Sequence, residues 1–208
     1  EKNGNYPEHM LEVGCSLRRG RDVGTTHLRN KAGKITNVLV ALARSDDEYI
    51  DTLNFLDEAL SGDASYQIGI RPHPDVSLDR SLAQLPDLRL RFERMGASLE
   101  SNFDWADVVV YVSSTVGLQA VSIGLPAVSI DLGKFTSYDP APEDCPLKWS
   151  VSDPDQLVPA FQRIDDLSGP DYEFLQAKAS EFGSQYFHPV TDGKLRALAN
   201  LLSANDTS

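Results

Sequence analysis

The chain has 208 residues, enough to bury a sizeable core, and a formal net charge of −12 that argues against broad contact with nucleic acid or an anionic bilayer. Its 41% apolar and 24% charged residues are ordinary for a globular protein. The two cysteines, Cys15 and Cys145, form neither a CxxC pair nor a metal spacing with histidine, and they read as free thiols in a reducing cytosol.

Residues 1–34 have little apolar periodicity and read as a leading segment or interdomain linker, with a short strand at Met10–Val13 and a basic loop, LRRGRD, at 17–22. The first residue is Glu1 in a polar stretch, which gives the expectation of one module of a longer protein. Ile35–Ala43 is β-branched and nearly continuously apolar, which predicts a central parallel strand. Arg44 and Ser45 follow at its carboxyl end. Ser45-Asp46-Asp47-Glu48 reads as a capping box opening a helix whose apolar face runs through Leu53 and Leu56 to Leu60. Tyr66–Ile70 predicts a second strand. The Arg71-Pro72-His73-Pro74 run after it cannot be helical, and its prolines stiffen the loop. A short helix over 77–85, an edge strand over Leu88–Phe92 and a weak helix over 97–105 lead to Asp107.

The stretch Asp107–Asp131 predicts a strand at 107–112, a helix at 115–123 and a strand at 126–131, a strand–helix–strand crossover. Ser113, Ser114 and Thr115 then fall where a strand's carboxyl end meets a helix's amino end, a place that collects anions. Residues 132–146 predict a long loop, functional or mobile. Leu147–Val151 predicts a short strand, and Asp153-Pro154 the cap and first turn of a helix to about 164. Helices over 171–182 and 191–202 close the chain. The alternation predicts an α/β, Rossmann-like three-layer domain with a mostly parallel sheet over 35–185, followed by a helical tail at 186–208.

In an open parallel sheet, ligands bind beyond the carboxyl ends of the strands. Arg44-Ser45, Arg71 with His73, Ser113–Thr115 and Asp131 all emerge from such ends. Arg71 and His73 suit pairing with phosphate, the hydroxyls and backbone N–H groups of 113–117 suit donation to it, and Gly117 suits close approach. Each feature also has a plainer reading, as a structural histidine or an ordinary Ser-Ser loop. GxGxxG, GxxxxGK[ST] and GxSxG are absent. His9, His27 and His188 do not group with acids, so neither a metal nor a cofactor is expected.

Arg71-Pro72-His73-Pro74, then Ser113-Ser114-Thr115-Val116-Gly117-Leu118-Gln119-Ala120 and Gly124-Leu125-Pro126, resemble the carboxyl-terminal, nucleotide-sugar-binding domain of GT-B glycosyltransferases. The resemblance is to bacterial surface-polysaccharide transferases with HP and Ser-Ser/Thr motifs, including Kdo, sialic acid and polyglycerolphosphate transferases. It covers roughly residues 35–131, and Tyr186-Phe187-His188-Pro189-Val190 also resembles how such chains end. It implies that Arg71 and His73 meet the sugar donor's phosphate and that Ser113, Ser114 and Thr115 cradle it beside Gly117. Gln119, where many members have glutamate, and Arg44 would meet the ribose or nucleotide. Implied partners are a CMP-, CDP- or UDP-linked sugar as substrate, a glycan acceptor and an amino-terminal domain missing from this chain; nucleic acid is not among them. The chemistry would be metal-free, with the base on the missing domain. The chain alone is therefore expected to bind nucleotide weakly and transfer little. The implied location is cytoplasmic, or peripheral at an inner membrane through the full-length protein. The alternatives are a UDP-N-acetylglucosamine 2-epimerase-like isomerase, which would usually carry an acidic pair near Gln119-Ala120, and a non-catalytic module of the same fold.

Overall fold

The structure, a computed structural model, describes residues 34–96, 98–133, 139–187 and 190–205. The expected strand at Met10–Val13, the loop at 17–22, Cys15, His9, His27 and the His188-Pro189 pair lie outside these residues. The chain divides into two compact units: Thr26–Gly183 carries the sheet, and the stretch from Ser184 onward belongs to the other.

Six parallel strands form one sheet: β1 (Asn37–Ala41), β2 (Gln67–Arg71), β3 (Glu93–Arg94), β4 (Val108–Tyr111), β5 (Ala127–Ile130) and β6 (Lys148–Val151). Their order is β3-β2-β1-β4-β5-β6, so the winding reverses between β1 and β4. The helices of this unit are α1 (Asp46–Leu60), α2 (Leu78–Leu82), α3 (Leu99–Trp105), α4 (Thr115–Ser122), α5 (Leu157–Asp165) and α6 (Gly169–Tyr186), the last running on into the second unit. That unit also holds α7 (Asp192–Asn205). No helix among the described residues is long and apolar enough to cross a membrane.

The two-residue side-chain period of a strand sorts the layers. Val38, Val40, Ile68, Ile70, Val108, Val110, Val128 and Ile130 enter one core with Leu53 and Leu56 of α1 and Leu157 and Phe161 of α5. Leu39, Val109, Tyr111 and Ala127, on the other face, are equally buried. There Trp105 of α3 lies over Gly69, and Gly117 of α4 lies over the Tyr111 ring. Each fully buried valine or leucine contributes about 1.5–3 kcal/mol. At the amino edge, Asp107 ties β4 to β1: its Oδ2 accepts from Thr36 N–H, Thr36 Oγ1 and Asn37 N–H, each at 2.8 Å.

The edge strand differs from its expected place. Leu88–Phe92 stays out of the ladder, and β3 forms only at Glu93–Arg94. Asp57 of α1 accounts for the shift, because its Oδ1 captures the N–H groups of Arg89 (2.8 Å) and Leu90 (2.6 Å). The helix after Asp153 also begins differently, as a 3-10 turn at Pro154–Gln156 leading into α5.

Gly117 is the tightest seat in this unit's helices, since a Cβ there would overlap the Tyr111 ring. Gly117→Ala should therefore lower the unfolding free energy by about 1–3 kcal/mol in urea titration. Tyr111→Val opens the same space, so the double variant should be less destabilised than the sum of the singles. Simple additivity would contradict this packing.

Candidate functional site

Ala41, Arg71 and Tyr111 are in register on three neighbouring strands, so the loops after β1, β2 and β4 rise side by side from the carboxyl edge. Asp75, which the sequence did not single out, gathers two of the predicted residues. Its carboxylate lies 3.0 Å from Arg44 Nε and 3.9 Å from His73 Nδ1. Its backbone N–H donates to His73 Nδ1 at 3.2 Å, which places the neutral ring's proton on Nε2. The loop itself is fixed from below. His73 N–H donates to the hydroxyl of the fully buried Tyr49 at 2.5 Å, and burial holds that phenol above its ordinary range. Arg71 turns toward α3, donating from Nη1 to Oδ1 of buried Asn102 at 2.6 Å.

Across β1 from this loop stands the amino end of α4. Ser114 caps it, with Oγ accepting from Val116 N–H at 3.3 Å and the carbonyl from Gly117 N–H at 3.2 Å. Thr115 begins the helix and is exposed. The first turn of α4 holds no acid, whereas α1 carries Asp46, Asp47 and Glu48, α2 Asp79 and α3 Glu100. Those acids offset the positive ends of their own helices, whereas the first turns of α4 and α5 carry none. Gln119 is half-buried one turn beyond Thr115, on the same face. Gly117 is buried, and the space its bare Cα leaves is occupied by the Tyr111 ring rather than open to a ligand.

Ser113 belongs to a different neighbourhood. Its Oγ donates to Glu48 Oε2 at 2.7 Å. The expected capping box is thus half made: Ser45 caps α1 by accepting from Glu48 N–H, while the Glu48 carboxylate leaves its own helix for β4. Glu48 is nearly buried, and burial raises its carboxyl above the usual glutamate range against the opposing hydrogen bonds from the Ser113 hydroxyl and backbone. Both side chains line a cavity of about 530 Å³ at the carboxyl ends of β4 and β5, beside Lys148 and Ser150 of β6. Arg44, Arg71, His73, Ser114, Thr115, Gly117 and Gln119 do not line it, whereas Asp131 does.

The cavity's far wall is a buried ion pair. Lys148, its side chain 4% exposed, places Nζ 2.7 Å from Asp139 Oδ2 and donates to the carbonyls of Ala141 (2.6 Å) and Pro142 (3.3 Å). Asp139 also accepts from Tyr111 OH and Ala141 N–H, each at 2.9 Å. Burial, reinforced by Asp139, pushes the Tyr111 phenol far up. The Cys145 thiol nearby is free and, mainly through burial, pushed up to about 12, which makes it a poor nucleophile at neutral pH. Among the described residues no group of three or more His, Cys, Asp or Glu side chains could hold a metal ion. The signal for Glu48 was present but ambiguous, because the residue reads as part of a capping box.

No family model matches the chain, and no curated protein matches it in sequence. Solved structures do share its fold. It is similar to CalG4, the calicheamicin glycosyltransferase, at 16% identity and a TM-score of 0.53, covering 83% of this chain and 42% of that one. HepE of Anabaena, solved in complex with UDP and glucose, gives 15% identity and a TM-score of 0.54 over 81% of this chain and 48% of its own. The UDP-GlcNAc 2-epimerase of Neisseria meningitidis, solved bound to UDP-GlcNAc, gives 12% identity and 0.52 over 81% and 45%. The chain therefore spans less than half the length of each of these structures. Its fold is that of one Rossmann-like domain of the GT-B architecture.

The raised Glu48 carboxyl has a thermodynamic signature. In the unfolded chain the group ionises at its ordinary pH; in the folded protein it ionises higher. Stability therefore falls as pH rises from the ordinary glutamate range through the raised value, and the loss is complete above it. Glu48→Gln removes that loss and keeps an acceptor for Ser113. The variant should melt above the parent at pH 8, and the gap should close as pH drops below the usual glutamate range. A gap independent of pH would contradict the assignment.

Proposed function

We propose that this chain is the donor-binding, carboxyl-terminal domain of a GT-B glycosyltransferase that moves a sugar from a uridine diphosphate carrier to a cell-surface glycan. One observation carries the reading: the amino end of α4, capped by Ser114 and free of first-turn acid, stands at the carboxyl edge of central strand β4, beside the winding reversal. The likeness to HepE and the epimerase, both solved with uridine nucleotides, favours UDP.

In this reading the diphosphate rests on the amino end of α4, taking hydrogen bonds from the Ser114–Thr115 backbone and the Thr115 hydroxyl. His73, with its proton on Nε2, faces the same phosphate from across β1, and Arg44 joins it once Asp75 gives up part of its hold. As the bond between the sugar and the phosphate breaks, negative charge grows on the leaving phosphate oxygen. The helix dipole and the His73 donor are in place before that charge appears, so they stabilise the transition state without reorganising. Gln119, one turn along α4, meets the ribose. The base and the acceptor site come from an amino-terminal domain outside this chain, so binding is its own property and transfer belongs to the longer protein.

A 2-epimerase acting on a UDP-sugar is the second reading, favoured by the fold likeness to the Neisseria enzyme. Ala120 weighs against it: the residue is fully buried, leaving no place for the second acid of the pair usual in those enzymes.

Calorimetric titration with UDP, CDP and CMP tests the proposal. UDP should bind most tightly. Because a hydrogen bond to a charged group contributes about 1.5–3 kcal/mol, Thr115→Val and His73→Ala should each weaken it roughly tenfold or more. If none of the three nucleotides binds at millimolar concentration, the donor-binding reading fails and a non-catalytic module of this fold takes its place.

A further inference from the structure

Three successive main-chain N–H groups after β2 are spent on fixing one residue, His73. Pro72 and Pro74 carry no N–H, so His73 supplies the main-chain donor of residues 72–74, and gives it to the Tyr49 hydroxyl at 2.5 Å. The next N–H, from Asp75, meets His73 Nδ1 at 3.2 Å and sets the tautomer. The one after, from Val76, closes a turn onto the His73 carbonyl at 3.1 Å. Main chain, ring and tautomer of His73 are thus all held by the chain itself, while the side chain stays 34% exposed at the carboxyl edge.

Tyr49 makes the contact that comes from outside the loop. It is fully buried in the core cluster that holds Leu53 and Leu56 of the same helix. A phenylalanine would fill that seat and spare the cost of burying a hydroxyl; what the phenol oxygen adds is the bond to His73. Its place on α1 matters as well. Glu48, the preceding residue, binds Ser113 at the end of β4, so one turn of α1 reaches the loops on both sides of β1. The helix thereby fixes the spacing between His73 and the residues that lead into α4.

We propose that Tyr49 is a positioning residue for the donor's phosphate: its hydroxyl holds the His73 main chain so that the Nε2–H donor is in place before the nucleotide arrives. A loop ordered in advance keeps the part of its binding energy that ordering on contact would cost. The inference rests on the donor-binding reading above and adds to it a group that acts only through His73.

A double-variant cycle, read by calorimetric titration with UDP, tests the role by comparing the parent with Tyr49→Phe, His73→Ala and both together. Tyr49→Phe should weaken UDP about three- to tenfold, the size of one net hydrogen bond, and by no more than His73→Ala does. In the His73→Ala background the same substitution should leave the dissociation constant unchanged. Tyr66→Phe removes a phenol oxygen just before β2, at the opposite edge of the sheet, and should not alter affinity. Partial unfolding lowers the number of sites, whereas the cycle is read in the dissociation constant. If the parent binds UDP and Tyr49→Phe binds it equally well, or the two losses simply add, the positioning role is overturned and the donor reading stands. An equal loss from Tyr66→Phe would mark a general packing effect and overturn it too. If the parent does not bind UDP, the donor reading falls and the inference falls with it.

Discussion

Tyr111, at the carboxyl end of β4, holds the two halves of the site in place. Its ring fills the space over the bare Cα of Gly117, which lets α4 sit flush on the sheet and aims the helix's amino end at the crevice. Its hydroxyl, 2.9 Å from Asp139, anchors the carboxylate that neutralises Lys148. One fully buried side chain thus sets the phosphate cradle on one side and the wall of the cavity on the other. Neither position leaves slack, because a ring packed at interior density transmits any displacement to both partners.

The electrostatics follow a consistent division. A chain with net charge −12 is a poor host for phosphate unless local fields oppose the global one. α1, α2 and α3 each carry acid in the first turn; α4 does not. The cations at the crevice are held by internal acceptors, Arg44 by the Asp75 carboxylate and Arg71 by the neutral amide oxygen of Asn102. Those contacts keep the side chains ordered and set a threshold that an incoming phosphate must exceed. Glu48 plays the matching part for Ser113, holding its hydroxyl toward the cavity.

The sheet was largely readable from sequence because its signals are strong and local. Runs such as Val108–Val110 and Val38–Val40 have no other stable use than as doubly buried strands. The caps at Ser45 and Asp153 follow from side-chain chemistry a few residues long. What escaped depended on distant partners. Asp57 moved the edge strand by seizing two N–H groups more than thirty positions away. Glu48 looked like a capping residue and became a partner of β4. Gly117 looked like a place for a ligand to come close, but the fold gave that space to Tyr111. Asp75 and Asp139 gave no periodic or motif signal at all. Sequence thus located the crevice through loops after strands, while the pairing of charges within it required the fold.

The account's central claim is that an anionic nucleotide settles on the amino end of α4. The most direct measurement is two-dimensional ¹H–¹⁵N spectroscopy of the labelled chain during titration with UDP. The account predicts saturable shifts, largest at the amides of Ser114, Thr115, Val116 and Gly117, with a second group at His73 and Asp75. Saturable shifts confined to α6 and α7, with residues 113–117 unmoved, would contradict it.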